Sequence, residues 1–577
     1  MQKNSIMAKI YSLKISNYRG IQSFEQVFGQ SNFICLIGRG DSGKTTILNA
    51  IYCALNPNWN LSFYDTDFYN GDIESPIIIE VSLYDLPDEL LSQSKYGLHK
   101  RLLNSKSEII DDLSQEDSPD NKDILTIRLV VNKDLEPKWY IINERDKPDF
   151  VEMKTSDRAK LNVFYISDFL DRHFSWSKGN PLYLLLKKAG ATENNDDVII
   201  DAFRNAKKQI DNSSFDHLNE VLNQVKENAK SYGIDITDVN TTIDFKDISI
   251  NEGKVCLHDE KIPYRLKGKG SKRLLSMAIQ TELAKSGGII LIDEIEQGLE
   301  PDRVRFLAKI LKEQNKGQVF ITTHSSNVIV ELDAINLFLM RNSAPCLFKF
   351  EEEFQGCLRS NPEAFFSKRI LIGEGATEVG ICRALDRHRI SNGLINFPIL
   401  GISIVDGKGK NFVNYCKKFK IAGYDVCVLC DSDEKDTNKQ KAGLRELGVV
   451  IVDCQEDKSI EYQLFSELPW EAVQFLIDKA TELKGEESIQ TLVSNQYGSP
   501  LDKNWLNNDS PEIRDAISKA STLKTKKEDK PTEDKSWFKT IQNGQTLGIV
   551  WFNNLSEIPD SHLAKQYSDL TKWIDNV

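Results

Sequence analysis

Near the N-terminus, the run Gly38-Arg39-Gly40-Asp41-Ser42-Gly43-Lys44-Thr45 combines three glycines with a lysine and a hydroxyl. Glycines let a turn fold so that successive backbone N–H groups point at one anion. A lysine at this spacing reaches the β and γ oxygens of a triphosphate, and the hydroxyl that follows it holds magnesium. The pattern predicts a nucleoside triphosphate site that uses Gly38, Gly40, Gly43, Lys44, Thr45 and Thr46.

A pair of acids ends the apolar run Gly288-Ile-Ile-Leu-Ile-Asp293-Glu294. Asp293 is predicted to hold magnesium through water, and Glu294 is placed to polarise the attacking water as a general base. A second apolar run, Gln318-Val-Phe-Ile-Thr-Thr323, ends at His324. An Asp-Glu pair is common by chance, so its meaning depends on the phosphate-binding pattern upstream.

A second set of acids lies in the C-terminal half. Glu374 and Glu378 are one helical turn apart, and a single serine separates Asp431 from Asp433. Hard carboxylate oxygens suit Mg²⁺ or Mn²⁺ rather than zinc. One or two such ions activate water and stabilise the leaving oxygen of a phosphodiester. The spacing therefore predicts a metal site that contains these four acids.

The elements around the first set of motifs are readable from periodicity. Residues 33–37 form an apolar strand candidate, and residues 45–55 have helical spacing. The glycine-rich run therefore lies between a strand and a helix, which is the context that a phosphate-binding loop requires.

The second half alternates between strands and helices. After the strand that precedes Glu374, strands are predicted at 398–404 and 424–430, each followed by a helix-like run. This alternation predicts a small parallel sheet with acids at the strand ends.

The motifs of the N-terminal half resemble the ATP-binding-cassette class of the RecF and SMC type. The resemblance implies that His324 senses the γ-phosphate and that residues 296–301 lie at a dimer seam. Gly268-Lys-Gly-Ser271 fits the signature loop, which contacts the ATP of the other subunit, but it departs from the usual Leu-Ser-Gly-Gly pattern. Ser271 is therefore expected to bind nucleotide in trans in at least a homodimer, and a flexible basic helix entry is the alternative.

Glu374-Gly375 and Asp431-x-Asp433 resemble a Toprim domain, the metal-binding module of topoisomerases, primases and some nucleases. The resemblance implies a third acid after the next strand, and we prefer Glu461 to Glu456 and Asp457, although an ordinary acid on a helix face remains the alternative. A cassette ATPase followed by Toprim resembles the OLD (overcoming lysogenisation defect) family of nucleases, whose relatives include the Gabija nuclease subunit and retron-associated effectors. Family members carry a lysine beyond the Toprim core that steadies the scissile phosphate. Lys539 is the candidate here, and Lys535 is the runner-up.

Composition fits a multidomain protein. The chain has 577 residues, of which 40% are apolar, and single cores stop growing at about 250 to 300 residues. Ten scattered cysteines and the lack of an apolar run of about 18 residues indicate a reduced, cytoplasmic protein without a membrane span. The net charge of −13 does not exclude DNA, because local patches decide binding, and the lysines at 408–420 and 524–530 are candidate backbone contacts.

The expected fold is therefore α/β, with an ABC-type ATPase domain followed by a Toprim domain that contains a parallel sheet. We expect the ATPase domain at 1–365, with an inserted helical region at about 160–240. The Toprim domain is expected at 366–467, and a helical extension that completes it at 468–577.

The family resemblance implies an ATPase and an Mg²⁺- or Mn²⁺-dependent DNA endonuclease of anti-phage defence. Its expected partners are DNA, further copies of the chain, and a helicase or a reverse transcriptase with its RNA or DNA. One rival is a non-cleaving clamp of the RecF or SMC type. Another is a topoisomerase-like strand passer, for which Tyr462 and Tyr567 are the possible nucleophiles. The same residues serve whether ATP activates or restrains cleavage, so the sign of control stays open.

Overall fold

The computed structural model describes residues 8–166 and 257–576 with short gaps, together with isolated residues between 181 and 209. The gaps are 59, 116–119, 148–149, 285–287, 315–316, 342–343, 503, 528–529 and 535. Most of the helical insertion expected at about 160–240 therefore lies outside the described residues, as does Lys535. The chain divides into two compact units. The first comprises Met1–Cys35, Gly43–Thr323 and Ser343–Cys346, and the second comprises Leu36–Ser42, His324–Asn342 and Leu347–Val577.

The first unit combines strands with a few helices. Its elements are β1 (Lys9–Tyr18), β2 (Ile21–Val27), β3 (Phe33–Ile37, whose last two residues belong to the second unit), α1 (Lys44–Leu55), β4 (Ile77–Tyr84), α2 (Asp88–Leu91), β5 (Arg101–Leu103), β6 (Ile109–Ile110), β7 (Lys122–Val131), β8 (Pro137–Ile142), β9 (Val151–Glu152), α3 (Thr155–Arg158), β10 (Val163–Ile166), β11 (His258–Asp259), β12 (Ile262–Pro263), α4 (Lys269–Ala284), β13 (Ile289–Ile292), α5 (Pro301–Gln314) and β14 (Gln318–Thr322).

Two sheets organise this unit. An antiparallel sheet has the order β2-β1-β4-β7-β5-β6, with β8 beside β7 and β9 beside β8. In the other sheet β10, β13, β14 and β3 are neighbours, and every side chain of β3, β13 and β14 is buried. Continuous apolar runs such as these are typical of strands that are covered on both faces. The Gln318 amide ties β14 to β1, because it accepts from and donates to the backbone of Ile10 at 2.7 and 2.9 Å.

The prediction of a helical insertion from about residue 160 was wrong for its first residues. Val163-Phe-Tyr-Ile166 is β10, a strand that pairs in parallel with β13. β-branched and aromatic residues favour a pleated surface, and the neighbouring strand supplies hydrogen bonds that a sequence pattern does not show.

The second unit contains most of the helices. Its elements are α6 (Ser326–Ile329), β15 (Leu337–Leu339), β16 (Phe348–Lys349), α7 (Gln355–Ser360), β17 (Arg369–Gly373), α8 (Ala376–Ser391), α9 (Phe397–Leu400), β18 (Ile402–Asp406), α10 (Phe412–Ile421), β19 (Asp425–Cys430), α11 (Lys435–Glu446), β20 (Val450–Asp453), α12 (Ile460–Glu467), α13 (Trp470–Lys484), α14 (Glu486–Tyr497), α15 (Pro511–Ser521), β21 (Lys524–Lys527), β22 (Lys530–Asp534), α16 (Ile541–Asn553) and α17 (His562–Asp575).

A four-stranded parallel sheet lies at the centre of this unit, in the order β18-β17-β19-β20. Gly373 pairs with Asp406 and Leu429, and Cys430 pairs with Asp453, so the carboxyl ends of the strands meet at one edge. This sheet confirms the parallel topology predicted from the strand-helix alternation.

The strand predicted at 398–404 begins later than expected. Residues 397–400 form the short helix α9, and β18 starts at Ile402. The Asn396 side chain accepts the Ile399 amide at 3.0 Å, a proline occupies the first turn, and Gly401 ends the helix with φ of 71°. These are ordinary helix start and stop signals, and they outweigh the apolar pattern.

The C-terminal segment shares one apolar core with this sheet. Leu371 and Leu429 of the sheet belong to the same buried cluster as Phe465, Trp537 and Trp551. The predicted helical extension is present as α13 to α17, and it also contains the β21–β22 hairpin, which the sequence did not predict.

Glycines let α8 and α16 approach to backbone contact. A Cβ at Gly544 would lie 2.9 Å from the Cα of Thr377, and a Cβ at Gly380 would lie 2.7 Å from the carbonyl carbon of Gly544. Real Cβ atoms do not come this close to backbone atoms, so neither position has room for a side chain. The contact fixes the start of α16, and therefore Lys539, beside the first turn of α8.

We expect Gly544→Ala to destabilise the protein by about 1–3 kcal/mol, because the added methyl overpacks the α8–α16 contact. Gly443→Ala in α11 is the matched control, since a Cβ there meets nothing within 4 Å. In a helix interior that change stabilises by roughly 0.5–1 kcal/mol. Chemical denaturation of both variants measures the difference, and equal effects at the two positions would contradict the close contact.

Candidate nucleotide site and carboxylate centre

The predicted phosphate-binding loop leads into α1 through a left-handed glycine. Gly43 has φ of 98° and precedes Lys44, the first residue of the helix, whose side chain is buried. At the other end of the loop, Gly38 has φ of 148°, and a Cβ there would lie 2.5 Å from the carbonyl oxygen of Met340. Both positions therefore require glycine for steric reasons.

The predicted magnesium ligands of the first unit lie together. Thr45 Oγ1 donates to Asp293 Oδ1 at 3.0 Å, and Thr322 Oγ1 donates to the same oxygen at 2.7 Å. Thr322 also accepts the Glu294 amide at 2.7 Å, and Glu294 has a positive φ of 47°. The Asp293-Glu294 turn is therefore held by β14, the neighbouring strand.

Arg273 of α4 supports this turn from the other side. Its side chain is buried and donates to the carbonyl oxygens of Asp293 and Glu294, the latter at 2.8 Å, and to the Gln297 side chain at 2.6 Å. Because Nη2 donates to both consecutive carbonyls, Arg273 fixes the backbone of the turn that carries the two acids. The sequence pattern does not single out this residue, and its only signal is a basic residue inside the predicted signature helix.

The signature segment differs in detail from the prediction. Helix α4 begins at Lys269, so Ser271 lies in its first turn and not in a preceding loop, and its side chain is exposed. A Cβ at Gly270 would overlap the carbonyl oxygen of Gly298, so the helix start packs on the segment that follows Glu294. An exposed hydroxyl at a helix N-terminus suits a phosphate oxygen, and the trans role of Ser271 stays a prediction. The γ-phosphate role of His324, directly after Thr323, also stays a prediction, as do the nucleotide contacts of Gly40 and Thr46.

The acids of the second unit converge at the carboxyl edge of its parallel sheet. Glu374 follows β17, Glu378 lies in the first turn of α8, Asp431 follows β19, and Glu461 lies in the first turn of α12. Glu378 is 4% exposed and Glu461 is fully buried, whereas Asp433 is exposed. The predicted set is thus brought together, with Asp433 at its solvent side.

Each of three carboxylates directs one oxygen to a backbone amide. Glu374 Oε2 accepts from Asp431 at 3.0 Å, Glu378 Oε2 accepts from Gly375 at 2.7 Å, and Asp431 Oδ1 accepts from Ile460 at 2.8 Å. These bonds orient the acids, because amide donors fix a carboxylate without neutralising its charge.

Burial and mutual repulsion raise the pKa of these carboxyl groups. Burial, followed by the negative charge of Glu461, raises the pKa of Glu378 to about 7. Burial also raises the pKa of Asp431 well above its usual range, and the charges of Glu378, Glu461 and Glu374 add to the effect. Burial likewise raises the pKa of Glu374, against the hydrogen bond from the Asp431 amide. Like charges this close favour any cation that neutralises them.

Lys539 supplies one such positive charge. Its Nζ donates to Glu461 Oε1 at 3.0 Å, and the Thr377 hydroxyl donates to the same oxygen at 3.3 Å. Burial would lower the pKa of Lys539, but the charges of Glu461, Glu378 and Asp431 outweigh it and raise that pKa. The Lys539 side chain is 36% exposed, so one face of it can contact a ligand.

The donor set fits a hard divalent cation. Within the described ranges, no three acidic, imidazole or thiol side chains stand close enough to enclose a metal ion as they are oriented. The donors are all carboxylate oxygens, however, and Glu461 Oε2 is buried without a hydrogen-bond partner. An unpaired buried carboxylate oxygen among like charges is costly, and a cation would satisfy it.

Comparison with protein families agrees with this division of chemistry. The model for the AAA ATPase domain (AAA_15) matches residues 8–329, more than half of the chain. The chain belongs to this ATPase family. The model for the TOPRIM domain of overcoming lysogenization defect-like proteins matches residues 365–433. The protein is therefore an ATPase with an OLD-like TOPRIM domain, as the sequence resemblance indicated.

Solved structures give distant matches. A SmcHead bound to the C-winged helix domain of ScpA matches at 16% identity and a TM-score of 0.34, covering 60% of this chain and 98% of that one. An Smc head domain from Pyrococcus furiosus matches at 13% identity and a TM-score of 0.35, covering 61% and 98%. The recombination mediator protein RecF matches at 13% identity and a TM-score of 0.34, covering 60% and 100%. No curated protein matches significantly.

Tyr462 donates its hydroxyl to Asp515 at 2.6 Å, and burial together with this bond raises the tyrosine pKa to about 12, which disfavours it as a nucleophile. Cys427 and Cys430 are free thiols buried in β19. In the described part of the chain, no helix has both the length and the apolar character needed to cross a membrane.

We expect Arg273→Met to lower the kcat of ATP hydrolysis by about 10- to 100-fold, because the Asp293-Glu294 turn loses its fixed geometry. Nucleotide affinity should change less, since the phosphate-binding loop is untouched. Lys309→Met, which removes an exposed cation on α5, is the control. Steady-state ATPase assays with nucleotide-binding titrations test this, and an unchanged kcat would rule out the positioning role.

Proposed function

We propose that the protein is an ATP-hydrolysing, Mg²⁺- or Mn²⁺-dependent DNA endonuclease of the OLD kind that acts in anti-phage defence. The observation that carries the proposal is the cluster of Glu374, Glu378, Asp431 and Glu461 with Lys539 at one edge of the parallel sheet. Clustered carboxylates repel the DNA backbone unless cations occupy them, so the arrangement favours metal-assisted phosphodiester chemistry over passive DNA binding.

The residues divide the work as follows. When bound, the divalent cation supplies an activated water and neutralises charge on the phosphate. The amide-oriented carboxylates of Glu374, Glu378 and Asp431 hold the cation, with Glu461 and Asp433 completing the set. Lys539 offers its exposed face to the scissile phosphate. We also propose the domain limits 1–365, 366–467 and 468–577 for these activities.

Basic residues beside the carboxylate centre suit a DNA strand. The loop after β18 packs on the Glu374 turn, because the Gly409 amide donates to the Glu374 carbonyl at 2.8 Å. This loop carries Lys408 and Lys410, which are 53% and 73% exposed although they pair with Asp406 and Glu434. Exposed pairs of this kind are weak, so both lysines are available to phosphate. Lys418, by contrast, is buried and donates to the Glu353 carbonyl, which removes it from the candidates.

Cleavage of supercoiled plasmid tests the proposal. With Mg²⁺ or Mn²⁺ we expect nicked or linear product from the wild-type protein, and a loss of about 100-fold or more in Glu374→Ala. Glu446→Ala removes an exposed acid of α11 and should cut normally. Lys44→Ala, with and without ATP, gives the sign of nucleotide control. Absent cleavage with intact ATPase activity would favour the clamp, and a covalent protein–DNA adduct would favour the topoisomerase.

We further propose that ATP brings two copies together, with Ser271 and His324 contacting nucleotide at the shared surface. Glu294→Gln should slow hydrolysis and accumulate an ATP-bound dimer. Adding Ser271→Arg, which places a bulky cation at the exposed helix start, should return that variant to its nucleotide-free mass. Light scattering with ATP measures the mass of each variant, and a dimer that persists with Ser271→Arg would contradict the proposed surface.

The helicase or reverse transcriptase expected from the family is proposed as a further partner of this assembly.

A further inference from the structure

A buried lysine lies beneath the turn that carries two of the proposed metal ligands. Lys441 of α11 is 2% exposed, and its Nζ donates to the carbonyl oxygen of Asp431 at 2.6 Å and to Ser432 Oγ at 3.0 Å. It also pairs with Asp453 Oδ2 at 3.4 Å. The roles assigned above to the carboxylates and to Lys539 make no use of this group.

Burying an ammonium is costly, since the effective penalty is several kcal/mol unless partners compensate. A methionine would fill a similar volume without that penalty. The partners of Lys441 are a backbone carbonyl, a hydroxyl and a carboxylate that also pairs with Arg445 at 3.0 Å. These contacts compensate the buried ammonium group, and they also tie the turn to α11.

The amides and carbonyls of Asp431 and Ser432 in this turn are all hydrogen-bonded. The Asp431 amide donates to Glu374, and the Ser432 amide donates to the Lys458 carbonyl at 2.9 Å. The Asn438 side chain donates to the Ser432 carbonyl at 2.7 Å. Asn438 and Lys441 are three residues apart, so one face of α11 holds consecutive carbonyls of the turn.

Lys441 differs from Lys539 in what it can reach. Lys539 is partly exposed and pairs with a ligand carboxylate, whereas Lys441 is sealed below the turn and bonds the backbone of a ligand residue. It cannot touch DNA. Its contacts are with the Asp431 backbone carbonyl, the Ser432 hydroxyl and the Asp453 carboxylate, so it acts on the turn and not on substrate.

We propose that Lys441 is a positioning residue of the carboxylate centre, which holds the turn of Asp431, Ser432 and Asp433 in the geometry that binds the divalent cation. The inference rests on the proposed metal site. Groups that orient metal ligands commonly change affinity by about 10- to 100-fold when removed.

Mn²⁺ binding to the nucleotide-free protein, followed by electron paramagnetic resonance, tests this without relying on cleavage. The TOPRIM site is defined as the Mn²⁺ that Glu374→Ala loses. Lys441→Met should weaken that binding by about 10- to 100-fold. Lys439→Met removes an exposed lysine of the same helix and should bind as the wild type. ATPase activity and thermal unfolding verify that each variant is folded.

The double variant Lys441→Met with Asp453→Asn separates positioning from a stranded charge. If Lys441 only neutralises Asp453, the double variant regains wild-type affinity, which overturns the proposal. If Lys441 positions the turn, the double variant still binds Mn²⁺ more weakly than the wild type. This comparison remains valid when the single variant Lys441→Met is unstable. An Mn²⁺ affinity of Lys441→Met within twofold of the wild-type value also overturns the proposal. A wild-type protein without Glu374-dependent Mn²⁺ would instead overturn the proposed metal site itself.

Discussion

Several negative charges share a small and largely buried volume at one edge of the parallel sheet, and the surrounding structure compensates their repulsion. Glu378 and Glu461 are buried beside Asp431 and Glu374, and burial raises the pKa of Glu378 to about 7. Backbone amides orient three of the acids, and Lys539 pairs with Glu461. A cluster of this kind stores electrostatic free energy that a divalent cation releases on binding. This compensation is the physical basis of the proposed cation site.

The C-terminal helices are part of this arrangement. Lys539 is more than seventy residues beyond Glu461, and it reaches the acids because α16 lies against α8. That approach requires Gly380 and Gly544, since any Cβ there would overlap the backbone of the other helix. The shared apolar core of the sheet and the C-terminal helices then fixes their orientation. A truncation after Glu461 would remove the lysine and also the packing that closes the centre.

In the ATPase half, side chains from neighbouring elements likewise hold an acidic turn in place. Thr45, Thr322 and the Asp293 carboxylate meet at the ends of neighbouring elements, and Arg273 fixes the acidic turn from the signature helix. The Arg273 contact connects the helix that carries Ser271 with the turn of the two acids proposed for hydrolysis.

The sequence alone determined the ATPase and TOPRIM domains, the strand-loop-helix setting of the phosphate-binding loop and the parallel sheet, because glycine spacing, apolar runs and acids at strand ends are local patterns. It also selected Glu461 and Lys539, both through a family resemblance. Tertiary structure decided what local patterns cannot express. Val163 to Ile166 became a strand because β13 offered hydrogen bonds, and Arg273, Thr322 and Lys441 gained their contacts from the packing of separate elements. Burial and long-range contact depend on the whole fold, so no spacing along the chain reveals them.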